Sequence, residues 1–313
     1  MSEKQSEKQS AKQAGKQPAK KQPEPGPAQR LSVLKTYKLH IGGAFPRSES
    51  GRVYEVTDAA GRQWLANAPL ASRKDARNAV VAARKAFPRW SGATAYNRGQ
   101  VLYRVAEMLQ GRHGQFAAEV ADAEGLGAAK ARAAVDAAID RWVWYAGWTD
   151  KIAQIAGAAN PVAGPYFNLS TPEPTGVVAV FAPQESSLLG LVSVLAPVLA
   201  TGCTAVVITS ERAPLPALSL AEVLATSDVP GGVVNVLSGR VAELGPPLAA
   251  HGDVDALDLT GAGTEAAALE AEAAGTLKRV RRPRADEDWT ADPGTGRLLW
   301  PLETKTVWHP MGV

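Results

Sequence analysis

The residues of this chain able to do chemistry gather at the ends of apolar runs. Val177–Phe181 is followed by Ala182-Pro183-Gln184-Glu185, and Thr204–Ile208 by Thr209-Ser210-Glu211, so each run delivers amide, hydroxyl or carboxylate groups at its carboxyl end. Two glycine-bearing turns complete the set: Gly239 to Gly245 after Val233–Leu237, and Thr260-Gly261-Ala262-Gly263 after Leu257–Leu259. A glycine-rich turn between strand and helix can cradle a pyrophosphate on backbone N–H groups. The same glycines also let helix and strand pack closely, so spacing leaves both readings open. Nucleophilic chemistry has one sulfur to draw on, Cys203, the chain's only cysteine. It opens a buried strand, a place for a small packed side chain rather than a reactive thiolate. One cysteine excludes an internal disulfide and a cysteine-only metal site, and His40, His113, His251 and His309 lack ligand spacing. Nor does a Ser/His/Asp arrangement emerge by spacing.

These groups must be positioned by the stretch Gly176–Glu211, GVVAVFAPQESSLLGLVSVLAPVLATGCTAVVITSE. It holds a buried strand, a Pro-bearing turn, an apolar helix over Leu188–Ala200, a Gly-marked stop and a second buried strand. That is a strand-helix-strand unit with a right-handed crossover expected. A helix over Pro214–Ala225 and strands over Val233–Leu237 and Leu257–Leu259 repeat the pattern. The prediction is an α/β fold with a doubly wound parallel sheet and flanking helices, whose ligands sit beyond the carboxyl ends of the strands.

Upstream, His40-Ile41-Gly42-Gly43, Val53–Val56 and Gln63–Ala66 read as short strands with glycine turns. Ser72-Arg73-Lys74-Asp75 is an N-cap with an acid three residues on, opening a helix with Ala76, Ala79, Val80, Ala83 and Phe87 at helical spacing. Further helices are predicted over Ala95–Gln110, Gly114–Ala123 and Ala128–Ile155. The last carries Trp142, Trp144, Tyr145 and Trp148, a cluster that on an Ala-rich helix favours core and interface packing over a ligand cage. Beyond Val280 the pattern fails in RRPRADEDWTADPGTGR, read as a linker over 283–297. The chain closes with 298–313, where Leu302–Trp308 alternates as a strand. Such a strand either returns to the chain's own sheet or completes another subunit's sheet by strand addition.

With 313 residues and 45% hydrophobic content the chain can bury a sizeable core. Its formal charge of +3 comes from residues 1–30, whose seven Lys or Arg against three Glu leave the remainder near −1. The repeat SEKQ-SEKQ-SAKQ-AGKQ has too little hydrophobicity to offset its ordering entropy, so a disordered Lys/Gln-rich tail is expected over 1–36. A solubilising extension accounts for it, and nucleic acid is not an expected partner. No apolar run reaches the ~20 residues of a membrane helix. With Glu3, Glu7 and Glu24 and no apolar core, the N-terminus resembles neither a secretory signal nor a transit peptide, so a cytoplasmic location is expected.

The order of His40–Gly43, AVVAARKAFPRW (79–90), GVVAVFAP (176–183), LAPVLATG (195–202), VVITSE (206–211), PGGVVNVLSG (230–239) and VDALDLTG (254–261) resembles the aldehyde dehydrogenase superfamily from about Tyr37 to Val280. The resemblance implies a Rossmann-like domain for NAD or NADP over 37–282, with a protruding β-strand oligomerisation arm. The final LETKTVW is similar to the family's C-terminal arm segment. By position, Ala182, Pro183, Ser210, Glu211, Gly239, Gly245 and Gly261 would bind the cofactor.

Departures from the family pattern fall at the chemical positions. Gln184 and Glu185 stand where the family has a Trp and the Asn that helps hold the oxyanion, and an ionised carboxylate repels a developing oxyanion. Ile208 replaces the ribose-binding Lys, although the Glu that often shares this task is kept as Glu211. Ala262 replaces a Ser beside the pyrophosphate, and Val241 a glycine of the third-strand turn. After Leu277-Lys278-Arg279-Val280 the family continues into the segment bearing its general base and a domain bearing its nucleophilic cysteine. Here RRPRADEDW leads nearly straight to the arm segment, so a catalytic domain is expected to be absent, and Cys203 falls on an Asn position rather than on the nucleophile. No catalytic residue and no metal site are expected, and NAD or NADP binding is expected to be weakened.

This arrangement is most similar to the second, non-catalytic module of the two-module members called family 16. It implies a non-catalytic subunit that associates, as a structural or regulatory partner, with a complete NAD(P)-dependent aldehyde dehydrogenase or with itself through arm and terminal strand. The alternative is an NAD-dependent aldehyde oxidoreductase, alone or as part of a split enzyme, with thiol and base supplied from elsewhere.

Overall fold

The computed structural model describes residues 33–312; the tail expected over 1–36 lies outside them except for its last four residues. From Lys35 onward the chain forms one unit. It begins with bridges tying His40 to Val236 and Ile41 to Ala44. Where a strand was expected at His40–Gly43 there are only these bridges, because Gly42 and Gly43 at φ 63° and 86° turn the chain straight back. An antiparallel hairpin of β1 (Val53–Thr57) and β2 (Trp64–Pro69) follows.

Helices α1 (Arg73–Ser91), α2 (Ala95–Gly111), α3 (His113–Glu124) and α4 (Ala128–Trp148) come next. Ser72 caps α1 as its sequence indicates: its hydroxyl accepts from the Asp75 N–H at 3.3 Å while the Asp75 carboxylate accepts from the Ser72 N–H at 2.8 Å. One helix was expected over Ala128–Ile155, but the structure breaks it into α4 and the short α5 (Ile152–Ala156). The Thr149 hydroxyl takes the Ala146 carbonyl at 3.0 Å and the Lys151 ammonium the Gly147 carbonyl at 2.6 Å, which satisfies the end of α4 and lets the chain turn. Trp142 and Tyr145 are fully buried, and Trp144 meets Tyr145 edge-on at 4.8 Å and Trp148 at a tilt at 5.4 Å, the packing expected of that cluster.

The chain then runs through β3 (Ala158–Asn160), β4 (Tyr166–Pro174), β5 (Val177–Phe181), α6 (Leu189–Ala200), β6 (Thr204–Ile208), α7 (Leu215–Ala225) and β7 (Val234–Leu237). After these come α8 (Val241–Ala249), β8 (Ala256–Asp258), α9 (Ala266–Ala273), β9 (Arg279–Arg281), α10 (Gly296–Leu299) and β10 (Leu302–Pro310). Five parallel strands in the order β7-β6-β5-β8-β9 make the central sheet. Succession leaves β5 in one direction through β6 and β7 and in the other through β8 and β9, so the switch-point crevice of a doubly wound sheet opens between β5 and β8.

Both faces of this sheet are covered, which is why its strands read as unbroken apolar runs. Val178, Val180, Ala205 and Val207 face a core shared with α2, α4, α6 and α7. Their neighbours Val177, Ala179, Phe181, Val206 and Ile208 face a second core with α1, α8 and α9. Strand β9 carries no comparable signal, because it is an edge strand and two of its three residues are arginines.

Of the two outcomes open to the terminal strand, pairing within its own chain is observed, with the arm rather than the central sheet. β10 runs antiparallel to β4 from Leu302 opposite Pro174 to Pro310 opposite Tyr166, and β3 lies on the other side of β4. Both faces of this ribbon are open to water: Trp308 is 59% exposed, Phe167 48% and Tyr166 43%.

Candidate functional site

The carboxyl ends of β5, β6 and β8 meet at the crevice, where Gln184 ties them together. Its amide nitrogen donates to the carbonyls of Ala182 at 3.2 Å and Gly261 at 3.1 Å, and its amide oxygen accepts from the Glu211 N–H at 2.9 Å. Ser210 turns its hydroxyl onto the Gln184 carbonyl at 3.1 Å and accepts from the Ala213 N–H at 3.1 Å. The Glu211 carboxylate reaches the start of α8, accepting from the Val241 N–H at 2.6 Å, where the helix dipole favours a negative charge. One helix N-terminus that could receive a phosphate already holds this chain's own anion.

The glycines of the site are consumed by packing. A Cβ on Gly261 would collide with the Ala182 carbonyl, one on Gly245 would come within 2.9 Å of Leu269, and one on Gly239 within 3.0 Å of Leu244. Pro183 is buried against the first turn of α6, where the Ser186 hydroxyl accepts from the Gly190 N–H at 2.9 Å. Ile208 and Ala262 are buried in the apolar core on the α1 side and offer no donor. Glu185 stands apart: its carboxylate extends into solvent, paired with Arg212 at 3.0 Å.

Cys203 is fully buried, its thiol pushed upward by that burial, and donates weakly to the Pro301 carbonyl at 3.4 Å. It precedes β6, whereas Ser210 and Glu211 follow it, so the length of a five-residue strand, roughly 16 Å, separates sulfur from crevice. Among the described residues no group of three or more His, Cys, Asp or Glu is placed to hold a metal, and no helix is long and apolar enough to cross a membrane.

Two features of the site region escape the sequence reading. Glu124, in the last turn of α3, accepts from both the N–H and the hydroxyl of Ser187 at 2.7 Å, fixing the loop between β5 and α6. An acid in the last turn of a helix opposes the helix dipole, which is the signal that could have found it. Asp258, at the end of β8, is fully buried and meets Arg297 at 3.2 Å, while Arg297 also meets Glu287 at 2.7 Å and lies over the Trp289 ring at 5.1 Å. Arg141 of α4 donates to the carbonyls of Trp289 and Ala291 at 2.8 and 3.0 Å. Together these contacts pin the 283–297 segment against the sheet. Their sequence signal is an Asp inside the apolar run VDALDLTG.

Sheet order, crevice and covering helices define an α/β protein of the dinucleotide-binding type. The aldehyde dehydrogenase family matches residues 45–282, and the chain belongs to that family. It is similar to human retinal dehydrogenase 2, 34% identical over 266 residues, which are 82% of this chain and 50% of that protein. It is similar also to the cytosolic aldehyde dehydrogenase 1 of Elephantulus edwardii, at 32% over 266 residues, 82% of this chain and 51% of the other. Among solved structures, the NAD+ complex of an aldehyde dehydrogenase from Bacillus cereus superposes with a TM-score of 0.75 at 30% identity, covering 79% of this chain and 50% of that one. The chain spans about half the length of the curated relatives it matches.

Proposed function

We propose that this chain is a non-catalytic member of the aldehyde dehydrogenase family, acting as a structural or regulatory partner of a complete NAD(P)-dependent aldehyde dehydrogenase or of a second copy of itself. The observation that carries the reading is the internal use of the crevice. Gln184 bridges three strand ends and Glu211 sits on the start of α8, so the Glu211 and Val241 N–H groups already have acceptors within the chain. Ile208 and Ala262 add no replacement donors, Glu185 presents a carboxylate where an oxyanion would need an amide, and Cys203 lies at the wrong end of β6. On this reading NAD and NADP bind weakly or not at all, and no hydride transfer takes place in the isolated chain.

What the chain retains is association machinery. Among the described residues the outer edge of β10 has backbone N–H and C=O groups without a strand partner, and open edges of that length call for a neighbour. The test is a pull-down with the tagged full chain from its native lysate, together with light scattering of the purified protein. Recovery of an aldehyde dehydrogenase, or a stable homodimer, is expected; a stable monomer that retains no dehydrogenase overturns the proposal. Aldehyde-dependent reduction of NAD by the purified chain, abolished by Cys203→Ala, would establish the oxidoreductase reading instead.

A further inference from the structure

Among the described residues strand β10 has β4 on one side and no strand on the other, and each residue from Glu303 to Pro310 is exposed. Which of its backbone groups are free follows from its two ends. The Thr175 N–H bonds to the Pro301 carbonyl at 3.0 Å and the Met311 N–H to the Pro165 carbonyl at 2.8 Å, so the odd-numbered residues of β10 turn their N–H and C=O groups to β4. Thr304, Thr306 and Trp308 turn theirs outward, and among the described residues none of these N–H groups has an acceptor. The devices that keep such an edge solitary are missing or spent. Its nine residues pair with β4 without a bulge, and its only proline, Pro310, stands at the tip. Its carboxylate and its ammonium are matched within the chain, Glu303 by Arg279 at 2.5 Å and Lys305 by Glu173 at 3.1 Å.

The strand is also complementary to itself. In an antiparallel pair of two copies, free groups meet free groups only when even-numbered residues face even-numbered ones. With Thr306 on the twofold axis the strand overlaps along its whole length: Thr306 faces Thr306 of the second copy, Thr304 faces Trp308, Lys305 faces Val307 and Glu303 faces His309. The N–H groups of Thr304, Thr306 and Trp308 then find the carbonyls of Trp308, Thr306 and Thr304 across the axis, and no like charges stand opposite. Moving the axis to Lys305 sets that ammonium against itself, and moving it to Val307 sets Lys305 against His309; either shift also shortens the overlap. The Trp308 indole, 59% exposed, comes to lie beside Thr304 and Thr306 of the second copy, an aromatic against β-branched contact that stabilises sheets. The base of β10 adjoins the body, where Cys203 reaches Pro301, and its tip is Pro310, so antiparallel pairing sets the two bases roughly 27 Å apart, the length of the strand.

We propose that two copies of this chain pair β10 with β10, antiparallel and with Thr306 on the twofold axis, into one sheet of order β3-β4-β10-β10-β4-β3. This pairing rests on the association role put forward above and commits the β10 edge to a second copy as its occupant. Thr306→Pro and Thr306→Cys test it in the full chain. The Thr306 N–H faces away from β4, so proline there removes no bond within the chain. At the axis it deletes two, and the dimer dissociation constant, read by light scattering over a dilution series, should rise roughly thirty-fold or more. Thr306→Cys should form an intermolecular disulfide with oxidised glutathione, since the paired Cα atoms would stand about 5.5 Å apart. Thr304→Cys alone should not, being about 13 Å from its own copy, but should link to Trp308→Cys when the two variants are mixed. A wild-type dimer that Thr306→Pro leaves unchanged, or Thr306→Cys linking no faster than Thr304→Cys, overturns the pairing and leaves the association role standing. A wild-type monomer also overturns it, and a dehydrogenase retained by that monomer would still support the role. Should Thr306→Pro fail to fold, the cysteine variants decide.

Discussion

Replacing Arg297 with methionine keeps an unbranched apolar stem and deletes the charge that Asp258 depends on. Asp258 is fully buried and Arg297 is 7% exposed in its side chain, so little water can take over. Burial drives the Asp258 carboxyl upward and Arg297 is the foremost influence opposing it, followed by hydrogen bonds from the Thr260 hydroxyl and N–H. Without Arg297 the folded protein can avoid a bare buried carboxylate only by protonating it. The unfolded chain ionises near pH 3.9, so holding that proton at pH 7 costs at most about 1.36 kcal/mol for each of about three pH units, a ceiling of about 4 kcal/mol. Losing the Glu287 pair and the Trp289 stack adds roughly 1 kcal/mol. The loss at pH 7 is at most about 3–5 kcal/mol, the range found when one partner of a buried pair is removed, because the wild-type carboxyl is itself raised by burial and already bears part of that cost. Its sign with pH is fixed. The folded variant carries a proton that the unfolded chain lacks, so the variant gains stability as pH falls, and at pH 5 the Asp258 part of the loss shrinks to about 1.5 kcal/mol. Urea unfolding of both proteins at pH 7 and pH 5 measures this, and Asp258→Asn in the Arg297→Met background should recover most of the loss and remove its pH dependence. A loss under about 1 kcal/mol at pH 7, or one of equal size at both pH values, would refute the reasoning.

His40, buried against the Phe45 ring at 4.9 Å, has its imidazole lowered to about 4 by burial. Its neutral form is favoured in the fold, so its stabilisation is intact above about pH 6.5 and drains by up to about 1.4 kcal/mol per pH unit down to about 4; a flat difference between wild type and His40→Gln over that window would contradict it. Cys203 should resist a thiol reagent in the native protein for hours at pH 8 and react stoichiometrically in urea; rapid native modification would show that its strand is open. Gly261→Ala should cost more than about 2 kcal/mol, because its Cβ meets the Ala182 carbonyl, and an unchanged Tm would refute that close approach.

Much of the fold is legible in residue order. Apolar runs such as Val177–Phe181 and Leu189–Ala200 announce themselves because both faces of the sheet are buried, and the Ser72–Asp75 capping box is a local device whose partners are three residues apart. The residue types at Gln184, Glu185, Ile208 and Ala262 are likewise visible, since they depend on position alone. What each of these side chains touches is not visible. That Gln184 stitches Ala182, Gly261 and Glu211 together depends on strand ends far apart in the chain, and that Glu211 sits on the start of α8 joins residues 30 positions apart.

Residue order alone carries the doubly wound α/β core and the family, because burial and periodicity are properties of neighbouring residues. Tertiary contact alone brings β9 onto the sheet, β10 onto β4, Arg297 to Asp258, and the Glu211 carboxylate to the start of α8. Each of these joins segments whose contact is set by the closing of the sheet and its covering helices. Hydrogen bonds and ion pairs of that kind are chosen by distance in space, on which spacing along the chain carries no information.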